Sequence, residues 1–126
     1  MAKIKIYCVT NVELKHLEKL NLNLAGVGKK KFKKRYISSL SGKNIQSKER
    51  NYSELTFHYW FWKNKLDLNK ENWVGFCQKR RFWIKKDSEK KNINHSNIND
   101  HLLNKIPTDW EDYDSILCKP IYVNNI

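Results

Sequence analysis

The chain has 126 residues, with 25 Lys and Arg against 13 Asp and Glu, for a formal net charge of +12. That length fits a single domain. Its 40% hydrophobic and 13% aromatic residues can build a core, which excludes a wholly disordered chain. No apolar run approaches the roughly 20 residues that cross a bilayer, and Met1–Ile6 alternates charged and apolar residues without the apolar stretch of a signal peptide. A cytoplasmic protein with no transmembrane segment is expected.

Cys8, Cys77 and Cys118 are odd in number and widely spaced, and His16, His58, His95 and His101 form no ligand pair. The cysteines therefore read as free thiols, with no zinc site. Charge is unevenly placed. Residues 1–91 carry 23 of the 25 basic side chains and 8 of the 13 acidic ones, which leaves the C-terminal part acidic. Lys29–Arg35 is the densest basic block, followed by Lys79–Arg81 with Lys85 and Lys86. Such a field suits a polyanion, whether nucleic acid, acidic lipid or nucleotide phosphate. A solvated lysine-rich surface without a dedicated partner is the competing reading.

In chain order, Ile4, Ile6 and Cys8 alternate with Lys3, Lys5 and Tyr7, which predicts a strand over residues 3–10. Leu14, Leu17 and Leu20 have helical spacing, while Leu20, Leu22 and Leu24 alternate as in a strand, so two readings compete over Leu20. Residues 41–51 read as a polar loop. Asn51 is placed to cap a helix beginning at Tyr52, with Glu54 completing a capping-box pattern. That helix puts Leu55, Tyr59, Trp62 and Leu66 on one face. Phe57 and Phe61 widen the apolar surface, so burial on more than one side is expected. Trp73–Cys77 is short, apolar and β-prone, and predicts an interior strand. Residues 85–99 predict a mobile loop. Asp100 is placed to cap a helix through Leu102, Leu103 and Ile106 that stops at Pro107. Ser115–Lys119 reads as a last strand. Helices alternating with strands predict an α/β fold.

The predicted strand 73–77 delivers Arg80 and Arg81 to its carboxyl end, where ligands collect in open α/β sheets and where guanidiniums can grip phosphate oxygens. An exposed basic turn is the structural alternative. Asp112-Tyr113-Asp114 has the Asp-x-Asp spacing that holds a divalent metal on a nucleotide diphosphate, and hard cations want such ligands. Because it precedes its strand and sits in the acidic run 109–114, it reads instead as a solvated acidic turn.

Several ordered blocks carry a resemblance across most of the chain. They are Tyr7-Cys8-Val9-Thr10-Asn11, Gly42-Lys43-Asn44-Ile45, Asn51–Thr56 with Tyr59–Asn64, Trp73–Cys77 with Arg80-Arg81-Phe82, and Tyr113–Pro120. Together they resemble a bacterial family of capsular-polysaccharide biosynthesis glycosyltransferases, much of it named only as a domain of unknown function. The resemblance implies a GT-A-like, Rossmann-related nucleotide-sugar-binding sheet and transfer of a sugar from a nucleoside-diphosphate sugar. It places Thr10 and Asn11 near the nucleotide, Arg80 and Arg81 on the diphosphate, and Tyr52 and Glu54 along the site. A helix-capping role for Glu54 is the alternative. The implied partners are a nucleotide sugar, a polysaccharide or lipid-linked glycan acceptor, and a second polypeptide supplying a missing half. The implied location is the cytoplasm, peripheral at the inner face of the membrane. The cofactor stays open, with a divalent cation (Mn²⁺ or Mg²⁺) as candidate.

The family usually has His-Tyr before the paired arginines, where this chain has Gln78-Lys79, and its domains are longer. Residues 1–126 are thus expected to form one partial domain, the donor-binding half. A truncated inactive fragment and a basic nucleic-acid-binding module are the alternative functions.

Overall fold

The computed structural model describes residues 3–28, 31–120 and 123. Four parallel strands form one sheet in the order β3-β2-β1-β4. They are β1 (Ile4–Thr10), β2 (Asn23–Gly26), β3 (Tyr36–Ser38) and β4 (Trp73–Gln78). A short helix α1 (Lys15–Glu18) links β1 to β2, and α2 (Glu49–Tyr52) and α3 (Leu55–Asn64) lie between β3 and β4. This is an α/β fold with a Rossmann-like sheet. Leu20 belongs to neither element: the helical turn ends at Glu18 and the strand begins at Asn23, and Leu20 packs with Leu17 and Leu24 from the connection between them.

Alternation along the strands divides the core. Cys8, Leu24, Tyr36 and Cys77 face one side and meet Leu17, Leu20, Ile98 and Leu102. Tyr7, Val9, Ala25, Ile37, Val74 and Phe76 face the other and meet Phe57, Trp60 and Phe61 of α3. Near its carboxyl end β1 is buried on both faces, with Cys8, Val9 and Thr10 all inaccessible, as a central parallel strand requires. All three cysteines are free thiols. Cys8 and Cys77 sit opposite each other in the β1–β4 register. The Cys8 sulfur beside it, together with burial, holds the Cys77 thiol far above the ordinary thiol range.

Several sequence expectations need correction. No capping box forms. Ser53, at φ 49° and ψ −124°, breaks the helical path between α2 and α3, and Glu54 makes no capping hydrogen bond. The buried face of α3 is Thr56, Phe57, Trp60 and Phe61. Leu55, Trp62 and Leu66 point outward, at 53%, 58% and 40% exposed, so the helix is buried on one side only. β4 is an edge strand among the described residues, and Trp73–Cys77 are half-buried. Part of the 41–51 loop is helical, with a 3-10 turn at Gln46–Lys48 followed by α2.

The expected helix through Leu102, Leu103 and Ile106 does not form. The N–H of Leu103 donates to Trp83 O at 2.9 Å and that of Lys85 to His101 O at 2.8 Å, so a short bridge between Ile84 and Leu102 takes the backbone groups a helix would need. Residues 85–99 lack regular strands or α-helices but are pinned to the core by buried Ser88 and Ile98. Ser115–Lys119 pairs with no strand.

The loop after β3 is clamped to the end of α3. Trp60 Nε1 donates to Ser41 O at 2.6 Å, and Asn64 Nδ2 donates to Lys43 O and Trp60 O, each at 2.8 Å. Gly42 makes the turn at φ +65°, and a Cβ there would run into Asn64 Oδ1. No helix of the described residues is long and apolar enough to cross a membrane.

Candidate functional site

The strand order puts a topological switch point between β1 and β4. From β1 the chain moves out through β2 to β3, then crosses back to add β4 on β1's other side. At such a point the loops leaving two adjacent strands diverge and open a crevice at their carboxyl ends. Here the crevice is a cavity of about 450 Å³ lined by Val9, Thr10, Asn11, Val27, Ser53, Glu54 and the four residues Gln78 to Arg81. It draws on the end of β1, the α2–α3 junction and the turn that ends β4.

Five of the six residues singled out from sequence line this cavity: Thr10, Asn11, Glu54, Arg80 and Arg81. Tyr52 does not; it ends α2 with its ring 45% exposed. Thr10 is buried, and its hydroxyl is committed to the β1–α1 turn. It donates to Val12 O at 2.7 Å and accepts the Val12 N–H at 3.1 Å, while the Thr10 carbonyl accepts Val27 N–H at 2.9 Å. Thr10 thus shapes the floor, leaving Asn11 as the first side chain of β1's exit available to a ligand.

Gln78-Lys79-Arg80-Arg81 is a tight turn closed by the Arg81 N–H to Gln78 O at 3.1 Å. Lys79 Nζ crosses the crevice to Asn11 Oδ1 at 2.9 Å. Opposite, the Gln78 side-chain amide donates to Glu54 Oε1, so Glu54 serves the crevice and not the helix end. Arg80 and Arg81 are both exposed, and neither guanidinium has a hydrogen bond or ion pair with another described residue. The lining thus holds three cations and one carboxylate, and Arg80 and Arg81 have no partner among the described residues. Lys79 and Gln78 were legible only as a departure from the family pattern and as part of a basic run. Their roles come from the turn that aims them at Asn11 and Glu54.

Ser53 lines the same crevice with its backbone in the left-handed half of conformational space. For a residue with a Cβ that costs about 1–3 kcal/mol, and such strain gathers where a site needs a sharp turn. Beyond Asn11 a second, more open hollow of about 650 Å³ is bordered by Asn11, Val12, Glu13, Gly28 and Glu49. Gly28 (φ +82°) permits this approach, since a Cβ there would collide with the Glu49 carboxylate. The basic crevice and a hollow edged by two carboxylates thus adjoin at Asn11.

The crevice is a poor cage for a divalent cation. Its lining offers one carboxylate, Glu54, already engaged by Gln78. Among the described residues no group of three or more His, Cys, Asp or Glu is arranged to hold a metal. Asp112 and Asp114 are exposed in a turn away from the crevice, as the acidic-turn reading expected.

The larger basic block is differently used. Lys29 and Lys30 lie outside the described residues. Lys33 pairs with Glu18 at 3.2 Å, and Arg35 donates to Leu20 O and Leu22 O, each at 2.8 Å. Phe32 packs against the core and fills the space above Gly26. Two of its cations and its aromatic ring thus serve the fold.

A family model described as domain of unknown function DUF4422 matches residues 4–125. No curated protein and no solved structure matches the chain.

Proposed function

The chain belongs to the DUF4422 family, and for it we propose the donor-binding part of a glycosyltransferase, holding a nucleoside-diphosphate sugar at the carboxyl ends of β1 and β4. The carrying observation is the pair of unpaired guanidiniums, Arg80 and Arg81, at the switch-point crevice with Lys79 beside them. The adjoining hollow has room for a nucleoside, and Glu49 at its edge can accept from ribose hydroxyls, while Glu13 already accepts the Lys33 N–H at 2.8 Å.

In the transfer, an acceptor hydroxyl oxygen bonds to the anomeric carbon as the bond from that carbon to phosphate oxygen breaks. The nucleoside diphosphate leaves with the electron pair, and the hydroxyl proton passes to a base. Negative charge grows on the leaving diphosphate, so fixed cations at that point lower the barrier. Arg80 and Arg81 supply them, and Lys79 can exchange its neutral Asn11 partner for a phosphate oxygen. Glu54, steadied by Gln78, accepts hydrogen bonds from donor-sugar hydroxyls. The acceptor in this reading is a surface polysaccharide or its lipid-linked precursor at the cytoplasmic face of the membrane.

The test is calorimetric titration with UDP. Charge-assisted hydrogen bonds are worth about 1.5–3 kcal/mol each, so Arg80→Ala combined with Arg81→Ala is expected to weaken binding by about 100-fold or more. Tyr52→Phe is expected to leave it unchanged. Undiminished UDP affinity in the double variant would remove the diphosphate role.

A further inference from the structure

Another cleft lies away from the switch point. A cleft of about 640 Å³ runs beside the N-terminal half of β4, along its open edge. It shares no lining residue with the switch-point crevice. The two draw on opposite ends of β4, and their lining residues Gly75 and Gln78 are about 10 Å apart at the usual rise of a strand. We propose that this cleft is a saccharide-binding site, with Trp73, Trp83 and Trp110 as a stacking wall and Tyr113, Glu111 and Asp114 as the rim that reads hydroxyls.

The wall is built and held. Trp73 and Trp110 rings meet at 5.5 Å and 54°, and Trp83 meets Trp110 edge-on at 6.0 Å and 77°. Trp83 Nε1 donates to Phe76 O at 3.0 Å, fixing that ring against β4. The turn that carries Trp110 is tied down by Lys86 on Asp109 at 3.3 Å. All three indoles are half-buried, so each keeps surface in the cleft. The rim is unsatisfied: neither the Glu111 nor the Asp114 carboxylate is hydrogen-bonded or ion-paired to another described residue, and Tyr113 is 61% exposed. An apolar wall with a few convergent polar groups, in a volume of this size, is the ordinary make-up of a small-molecule site.

Chemistry selects the ligand class. The chain is net +12, yet the lining sets Glu71, Glu111 and Asp114 against one cation, Lys70, which pairs with Asp67 at 3.8 Å, and this excess of carboxylates repels phosphates and carboxylates. An organic cation wants aromatic faces spread around a void, whereas Trp73 and Trp83 both pack on Trp110. A neutral sugar fits both halves. Its ring presents an apolar C–H face to indoles, and its hydroxyls donate to carboxylates, which are pure acceptors. The inference stands apart from the transferase reading, since it uses none of the residues of the nucleotide crevice.

Indole N–H correlation spectra of the full chain test it, because the five tryptophans report separately. Maltotriose, cellotriose and triacetylchitotriose are titrated in turn into the millimolar range, and choline is titrated alongside. At least one trisaccharide is expected to shift the Trp73 and Trp110 signals saturably while Trp60 and Trp62 stay still. Asp114→Asn and Tyr113→Ala, both at exposed positions, are expected to weaken that binding about tenfold, the worth of one hydrogen bond, with an unchanged melting temperature. No response to any trisaccharide, shifts shared equally by Trp62, or a response to choline alone would overturn the proposal. UDP added to the same samples separates the two sites. Trisaccharide binding without a UDP response leaves this cleft standing and removes the nucleotide reading; the converse removes this one.

Discussion

Ser53 and Glu54 show how much of a site can hang on one backbone angle. An Asn three residues before a Glu reads as a helix start, and the segment 51–54 would cap a helix in many chains. Here the positive φ of Ser53 ends α2 and restarts the chain at a new angle, so Glu54 meets Gln78, 24 residues away in sequence. Sequence pattern places residue types but not a partner that distant. One turn further on, His58 stacks on Phe76 with centroids 4.0 Å apart. Burial, partly opposed by the nearby Glu54 charge, pushes its pKa below the ordinary 6.5. Protonation then favours the unfolded chain, so this contribution to stability is full above about pH 6.5 and is lost as pH falls toward the depressed folded value. The melting temperature is expected to be lower at about pH 5.5 than at about pH 7.5, and His58→Gln to shrink that difference. An equal acid drop in the variant would show that His58 is not the group responsible.

At the scale of elements, β1 and β4 were legible because a strand buried on one or both faces leaves an alternating or continuous apolar run. β3 was not, since three residues following a basic stretch carry no period. The helix face was misjudged because α3 is apolar all round. Phe57 and Trp60 went inward because they meet Tyr7 and Phe76 across the sheet, while Trp62 stayed out with Lys63 Nζ 3.7 Å from its ring centre. The two faces differ in consequence. Phe57→Ala, emptying a fully buried position in contact with Tyr7, Trp60, Phe61 and Phe76, is expected to cost about 3–5 kcal/mol in urea unfolding. Trp62→Ala is expected to change stability by no more than about 0.5 kcal/mol. A large loss at Trp62 would mean that the outward face is covered in solution. The expected helix after Asp100 and strand at 115–119 failed for a different reason. Local pattern allowed them, but the backbone of 101–103 was claimed by residues 83–85, and no strand lies beside 115–119 to pair with it.

For the whole molecule, the order β3-β2-β1-β4 turns a list of separated residues into a place. Thr10 and Asn11 end one strand and Lys79 to Arg81 follow its neighbour, so the crevice needs only that the two strands be adjacent and parallel. Reading residues 3–10 and 73–77 as strands put these residues at strand ends, but that the two strands are parallel neighbours comes from the strand order. What the sequence did not reveal is the division of charge. In the block at 31–35, Lys33 and Arg35 are tied to Glu18, Leu20 and Leu22, while the smaller run at 79–81 keeps two guanidiniums over the switch point with no partner among the described residues. This division favours a phosphate-bearing small ligand over an extended polyanion lying on the lysine block.

The most direct test records amide correlation spectra of the full chain while UDP and UDP-hexoses are added, with and without Mn²⁺. The account predicts saturable shifts concentrated at Asn11, Val12, Ser53, Glu54 and residues 79–81. Well-dispersed signals that stay fixed there, or shifts confined to Lys31 to Lys34, would contradict it.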